Sequence, residues 1–235
     1  MPIHRIKRSR ESRLAATSGT PALTAKHLLA APTLDRDFFD RAAITVAREL
    51  LGKLLVRREG KRLLAGRVVE AEAYLGAADP AAHAYNGRTP RNAVLFGPPG
   101  HAYVYFIYGT YYCANVSCMP TGDAECVLLR ALEPVFGLEA MAAARGLALT
   151  ADSPASRLRL ISSGPGRMSE ALGITRARDN GKDLTSRQSD LWFADDGYRP
   201  KRIGATPRIG IKKAIEEPLR FVIAGNSFVS GKRVV

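Results

Sequence analysis

The chain has 235 residues, 46% of them hydrophobic, and a formal net charge of +13, which suits one principal domain large enough to bury a substantial core. Its three cysteines, Cys113, Cys118 and Cys126, are odd in number and lack CxxC spacing, which argues against a disulfide framework or a structural zinc site and makes a reducing compartment the default. No apolar run approaches the roughly 20 residues that cross a bilayer.

Residues 1–33 hold six basic side chains (Arg5, Lys7, Arg8, Arg10, Arg13, Lys26) against one acid, Glu11. They show no sustained periodicity and are expected to form a disordered basic arm of net charge +5. Arginine and serine with few acids leave an organelle-targeting peptide open, but the long apolar stretch of a secretory signal is missing. Residues 34–235 carry the other +8, so the domain itself is basic and suits a polyanionic partner. Charge by itself fits DNA, RNA and an anionic membrane surface equally.

Within the domain, apolar residues recur at helical spacing from Ala42 through Leu51, with Asp40 as the expected N-terminal cap. Gly52 ends that helix and KLLVRR opens a strand. RVVEAEAYL then alternates with period two. A strand there places Val69, Ala71, Ala73 and Leu75 on one face, and Glu70, Glu72 and Tyr74 on the other. Taken alone, the segment reads most simply as an edge strand whose acidic face is solvated. The following GAADPAAHAYNGRTPRN, which contains His83, has the chemistry of a long ordered loop. HAYVYFIYGTYYCANVSC forms two β-rich runs around Tyr108, Gly109 and Thr110, a hairpin in which Tyr103 and Tyr105 share a face and Tyr108 lies at the tip. CVLLRALEP adds a strand, residues 137–145 a helix, and SGPGRMSEALGI a short helix entered through Pro165. IGATPRIGI and PLRFVIAGNSFVS read as further strand segments. The expected fold is α+β: a single domain with a largely antiparallel, curved β-sheet, flanking helices and a protruding β-hairpin.

The segment 66–118 concentrates chemistry: a carboxylate pair, two of the four histidines and seven of the eight tyrosines. Its motifs EAEAYLG, AAHAYNGRTPRN and PGHAYVYFIYGTYYCANVS, followed by CVLLRALEP, SGPGRMSEALGI, PRIGI, PLRF and GNSFVS, resemble in order and spacing the alkyladenine (3-methyladenine) DNA glycosylase family. The likeness runs from about Leu34 to the C-terminus. It implies an enzyme that flips alkylated or deaminated purines of the 3-methyladenine, 7-methylguanine, hypoxanthine and ethenoadenine class out of double-stranded DNA. Neither a metal nor a cofactor is implied. A monomer is expected, with no membrane partner, located with the DNA: cytoplasmic and nucleoid-associated in a bacterium, nuclear in a eukaryote, not secreted.

Excision hydrolyses the bond between deoxyribose C1′ and the base, with positive charge developing on the sugar. A carboxylate beside the sugar can take a proton from water and oppose that charge. The residues alone leave Glu70 and Glu72 equivalent; the resemblance assigns the base to Glu72 and places Arg130 beside the flipped nucleotide and the water. It also assigns Tyr74, His83 and Tyr105 to an aromatic slot, where electron-rich rings suit an electron-poor purine. Asn115 falls at the pocket floor and Tyr108 at the intercalating wedge. Without the likeness, Asn115 reads as a strand amide satisfied by backbone and Arg130 as an arginine paired with an acid. Arg88 and Arg91 are expected on the DNA backbone. No lysine lies within 66–118, which favours a monofunctional enzyme over a Schiff-base one. KKAIEEPLRF departs from the family by being short and lacking an aromatic between Ile211 and Phe221. Two other classes fit the residues: a metal-dependent nuclease using Glu70, Glu72 and Asp79, and a nucleic-acid binding module that has lost its chemistry.

Overall fold

The computed structural model describes residues 23–107 and 109–231. Tyr108 and most of the expected arm, residues 1–22, lie outside the described residues.

In chain order the helices are α1 (Ala25–Ala30), α2 (Arg36–Phe39), α3 (Ala43–Leu50), α4 (Leu138–Ala144), α5 (Ala155–Leu158), α6 (Pro165–Ala171) and α7 (Arg176–Asp179). The strands are β1 (Leu54–Glu59), β2 (Arg62–Tyr74), β3 (Ala102–Ile107), β4 (Tyr111–Cys118), β5 (Glu125–Phe136), β6 (Leu191–Ala194), β7 (Ile203–Thr206) and β8 (Arg220–Ile223). They form one antiparallel sheet of eight strands, ordered β3-β4-β5-β2-β1-β6, with β8 joining β2 and β7 joining β8. The α+β architecture expected from the sequence is the one observed.

β2 is the spine of this sheet, not an edge. One of its sides pairs with β5 along most of its length; the other pairs first with β1 at 62–67 and then with β8 at 70–72. The register shifts around Val68 and Glu70, where β1 gives way to β8; such irregularities bend a strand and increase its twist. Both faces of β2 are covered here, so the solvated reading of its acids fails: Glu70 and Glu72 are both fully buried. The alternation itself holds. Val69, Ala71 and Ala73 face the main core, which they share with Val46 and Leu50 of α3, Met141 of α4 and Met168 of α6.

The opposite face is covered in two places. At one end Leu28 of α1, fully buried, packs with Trp192, Leu54 and Val56. Residues 23–33, expected in the arm, are therefore folded in this structure: Thr24 caps α1, and Thr33 bridges to Ala194. A six-residue helix with a single buried leucine carries too little periodicity to announce itself. At the other end the loop between β2 and β3 lays Ala84 and Leu95 against Tyr103 and Cys126.

Two further expectations are corrected. Asp40 does not cap α3; it ends α2, and the carboxylate that accepts the first amide of α3, Ala43 N–H at 2.7 Å, belongs to Glu125. β8 stops at Ile223, and GNSFVS continues as turns rather than strand. No described helix is long and apolar enough to cross a membrane.

Candidate active site

Because alternation puts Glu70 and Glu72 on the same face of β2, both reach the same cluster of arginines, but their partners differ. Glu70 Oε1 accepts from Arg130 Nε (2.9 Å), Arg220 Nε (2.7 Å) and Ser230 Oγ (2.8 Å), and Oε2 accepts from Ser230 N–H (2.6 Å). Glu72 has fewer. Its Oε1 accepts from Ile209 N–H (2.8 Å) and meets Arg130 Nη1 at 3.1 Å, while Oε2 accepts only from the Tyr74 hydroxyl (3.0 Å). A carboxylate oxygen offers about two lone-pair positions, so the Oε2 of each glutamate, with a single donor, keeps capacity for another; what separates the two carboxylates is where their donors lie.

Burial pushes the Glu72 carboxyl above its ordinary value, and Arg130, the Ile209 amide and the Tyr74 hydroxyl only partly offset this. Burial opposes the Arg130 charge as well, but Glu72 and Glu70 outweigh it and hold the guanidinium protonated. Burial and the neighbouring Glu72 raise the Tyr74 hydroxyl, which stays a donor.

The three donors to Glu72 all line a cavity of about 580 Å³; of the donors to Glu70, Arg130 alone does. One wall carries Tyr74, His83, Tyr103 and Tyr105. The rings of His83 and Tyr105 stand 4.5 Å apart at 61°, and His83 Nδ1 lies 2.9 Å from the Tyr103 hydroxyl. His83 is exposed at the edge of the slot, yet its partial enclosure and the nearby Arg91 lower the imidazole and favour its neutral form. Asn115 lines the cavity beside Cys113 and Cys126. Its Nδ2 donates to the Tyr103 carbonyl at 3.0 Å, so the amide is satisfied by backbone while the residue borders the cavity. Arg130 likewise pairs with two acids and still borders the cavity.

Of the residues singled out by sequence, Glu72, Arg130, Tyr74, His83, Tyr105 and Asn115 are brought together. Arg88 and Arg91 are exposed on the loop, and Arg91 lies over the Tyr105 ring, 5.7 Å from its centroid, at the rim of the slot. Tyr108 is outside the described residues. Sequence reasoning missed the segment after β7: Ile209, Lys212 and Lys213 form the facing wall. PRIGI carried the likeness, but nothing in its pattern showed that a backbone amide would reach Glu72. The oxygen set of a metal-dependent nuclease does not assemble. Glu70 is held by two arginines and Asp79 by Arg208, and among the described residues no three His, Cys, Asp or Glu side chains group to hold a metal ion.

A fully buried carboxylate, not itself in the cavity wall but held by three donors that line an aromatic slot, is of the residue type that activates water beside a flat, electron-poor ring. That is the chemistry of a hydrolase acting on a base-like group. Comparison with known proteins agrees. The model of the methylpurine-DNA glycosylase family matches residues 37–227. A protein of Koribacter versatilis is 60% identical over 200 residues, covering 85% of this chain and 94% of its own. Relatives in Burkholderia lata (49% over 199 residues; 84% of this chain, 91% of the relative) and Methanoculleus marisnigri (48% over 202; 84% and 98%) are also similar. All three carry the provisional name 3-methyladenine DNA glycosylase. The chain belongs to the methylpurine-DNA glycosylase family.

Proposed function

We propose that this glycosylase flips alkylated or deaminated purines of the 3-methyladenine, 7-methylguanine, hypoxanthine and ethenoadenine class out of duplex DNA, hydrolyses the N-glycosidic bond and leaves an abasic site. The observation that carries the reading is the contrast between the two carboxylates: all three donors to Glu72 line the cavity, whereas of the donors to Glu70 only Arg130 does, the others being Arg220 and Ser230. C1′ is out of reach inside a stacked duplex, so a site of this depth needs the nucleotide rotated into it. About 580 Å³ lies within the usual range for a small-ligand pocket and accommodates a purine.

In this mechanism Glu72 takes a proton from the attacking water while its charge opposes the cation developing on the sugar. Arg130 holds Glu72 in place and faces the same reacting centre. Tyr74, His83 and Tyr105 line the slot that receives the base, the neutral imidazole avoiding repulsion with a cationic alkylpurine. Asn115 disfavours the exocyclic amino group of guanine, and Tyr108 fills the gap left in the duplex.

Duplexes each bearing one such lesion test this directly. Free base and alkali-labile strands are expected, with no strand break before alkali. Lys212 and Lys213 border the cavity, so monofunctional chemistry also predicts no covalent complex on borohydride treatment during turnover. A trapped complex would make one of these lysines a nucleophile and sink the water mechanism.

Positive charge should serve search rather than chemistry. Residues 1–22 contain five basic side chains and one acid. Deleting them is expected to flatten the salt dependence of nonspecific DNA binding by about 0.9 for each phosphate that is no longer neutralised. Single-turnover excision at saturating enzyme should stay within twofold; normal binding without excision would place these residues in the active site.

A further inference from the structure

Asp79, on the loop after β2, and Arg208, just after β7, form a buried pair that bridges 129 residues of sequence. Arg208 is 5% exposed; its Nη2 donates to Asp79 Oδ1 at 2.9 Å, its Nη1 to Asp79 Oδ2, and Nη1 also to the Ala73 carbonyl at 3.0 Å. Asp79 in turn accepts from Ala81 N–H (3.0 Å) and Leu75 N–H (3.3 Å). One ion pair therefore ties the end of β2, the start of the loop bearing His83, and the segment that faces it across the cavity.

Three features of this pair converge on Glu72. Ala73, whose carbonyl Arg208 holds, is the residue between Glu72 and Tyr74. The Arg208 guanidinium lies over the Tyr74 ring, 4.6 Å from its centroid, and the Tyr74 hydroxyl donates to Glu72 Oε2. Ile209, the residue after Arg208, donates its N–H to Glu72 Oε1. Arg208 thus sets two of the three donors of Glu72, one through ring stacking and one through the chain. Buried ion pairs often do no more than persist in a fold, but such a pair has no reason to engage both oxygens of a single carboxylate.

We propose that Asp79 and Arg208 are positioning residues that hold Glu72 in its proton-abstracting geometry by fixing the Tyr74 hydroxyl and the Ile209 amide; this rests on Glu72 being the water-activating base. Neither belongs to the cavity wall, so they have no interaction to offer a bound base. Their removal should cost rate and not affinity, the mark of an interaction made through the catalytic geometry.

Arg208→Lys is the decisive variant, because it keeps the charge near Glu72 while removing the fork and the ring stacking. The other charged or titratable groups facing Glu72 are Arg130 from β5, Glu70 and Tyr74 from β2, and Cys113 from β4, and none is altered. Both donors that Arg208 sets favour the ionised carboxylate. Loosening them should move the acid limb of the single-turnover pH profile to higher pH, together with a fall in rate of roughly 10- to 100-fold. Lesion affinity should stay within threefold. Asp79→Asn should show a comparable fall in rate at unchanged affinity. A folded Arg208→Lys variant with wild-type rate and an unmoved acid limb would overturn the proposal. So would failure of both variants to fold, which would make the pair a fold determinant only. Failure of the underlying reading would look different: wild-type protein releasing no base, or Glu72→Gln retaining turnover.

Discussion

Glu72→Gln is expected to stop base release, lowering single-turnover excision by about 10³-fold or more, while lesion duplexes still bind within a few-fold. Glutamine keeps the shape and can still accept the Ile209 amide, so the slot formed by Tyr74, His83 and Tyr105 should stand. What disappears is the proton acceptor and the charge opposite the developing cation. In the wild type the rate should fall with acid through a value above that of an ordinary glutamate, because burial raises the Glu72 carboxyl more than its partners lower it. Excision that persists in this variant would remove Glu72 from the mechanism.

The same shift carries a stability consequence of opposite sign. A carboxyl raised on folding contributes fully only below its unfolded value, near 4.5, and loses that contribution as pH rises through the folded value. At neutral pH the ionised Glu72 therefore weighs against the fold. A glutamine there stays neutral at every pH, so the variant should melt above the wild type at pH 7 and the gap should close as pH approaches 4.5. Melting curves of both proteins across that range decide it. A dead enzyme more stable than its parent is the outcome expected where a fold tolerates an unfavourable charge for function.

Much of this site was legible in the sequence because its chemistry is local to β2 and the hairpin. Period-two alternation put Glu70, Glu72 and Tyr74 on one face without any knowledge of neighbours, and the hairpin pattern put Tyr103 and Tyr105 together. The rest depends on pairings that periodicity does not encode. Whether β2 was an edge or a spine at its acids turned on β8 joining it from 150 residues away in sequence, and their burial turned on Arg220, Ile209 and Ser230, all distant in sequence, reaching that face. Ile209 acts through its backbone, for which residue identity carries no signal. In the sequence Asp79 stood only in the ligand set of the nuclease alternative and Arg208 only within PRIGI; their pairing appears once β7 and β8 bring the segment after β7 against the end of β2. The short α1 was hidden for another reason: its single buried leucine sits in a run of basic and small residues that resembles the arm before it. The choice between Glu70 and Glu72 was made in the sequence by resemblance alone, and the ground for proposing it from the structure is that all donors to Glu72 line the cavity while Arg220 and Ser230 hold Glu70 outside it.

That ground makes Glu70 the control with the second large effect. Glu70→Gln is expected to destabilise the protein by about 3–5 kcal/mol, since it leaves buried guanidinium charge without its partner. Arg220 is 3% exposed, and its remaining acceptors, the Thr206 hydroxyl (2.8 Å) and the Ser230 carbonyl (2.8 Å), are neutral. Arg130 still has Glu72, so the charge left behind is chiefly that of Arg220. Ser230 gives its amide to one carboxylate oxygen and its hydroxyl to the other, and a glutamine keeps only one of these acceptors, which loosens the C-terminal segment against β2. For a chain of this size the destabilisation should lower the melting temperature by roughly 10 °C. Below that transition the folded fraction should still excise, because the cavity donors to Glu72 are untouched. The two glutamine variants are thus predicted to be opposites: at position 72, stable and inactive; at position 70, fragile and active. Thermal melts paired with single-turnover excision at low temperature separate them. A Glu70→Gln protein that melts like the wild type yet releases no base would reverse the assignment, making Glu70 the proton acceptor and Glu72 its structural neighbour.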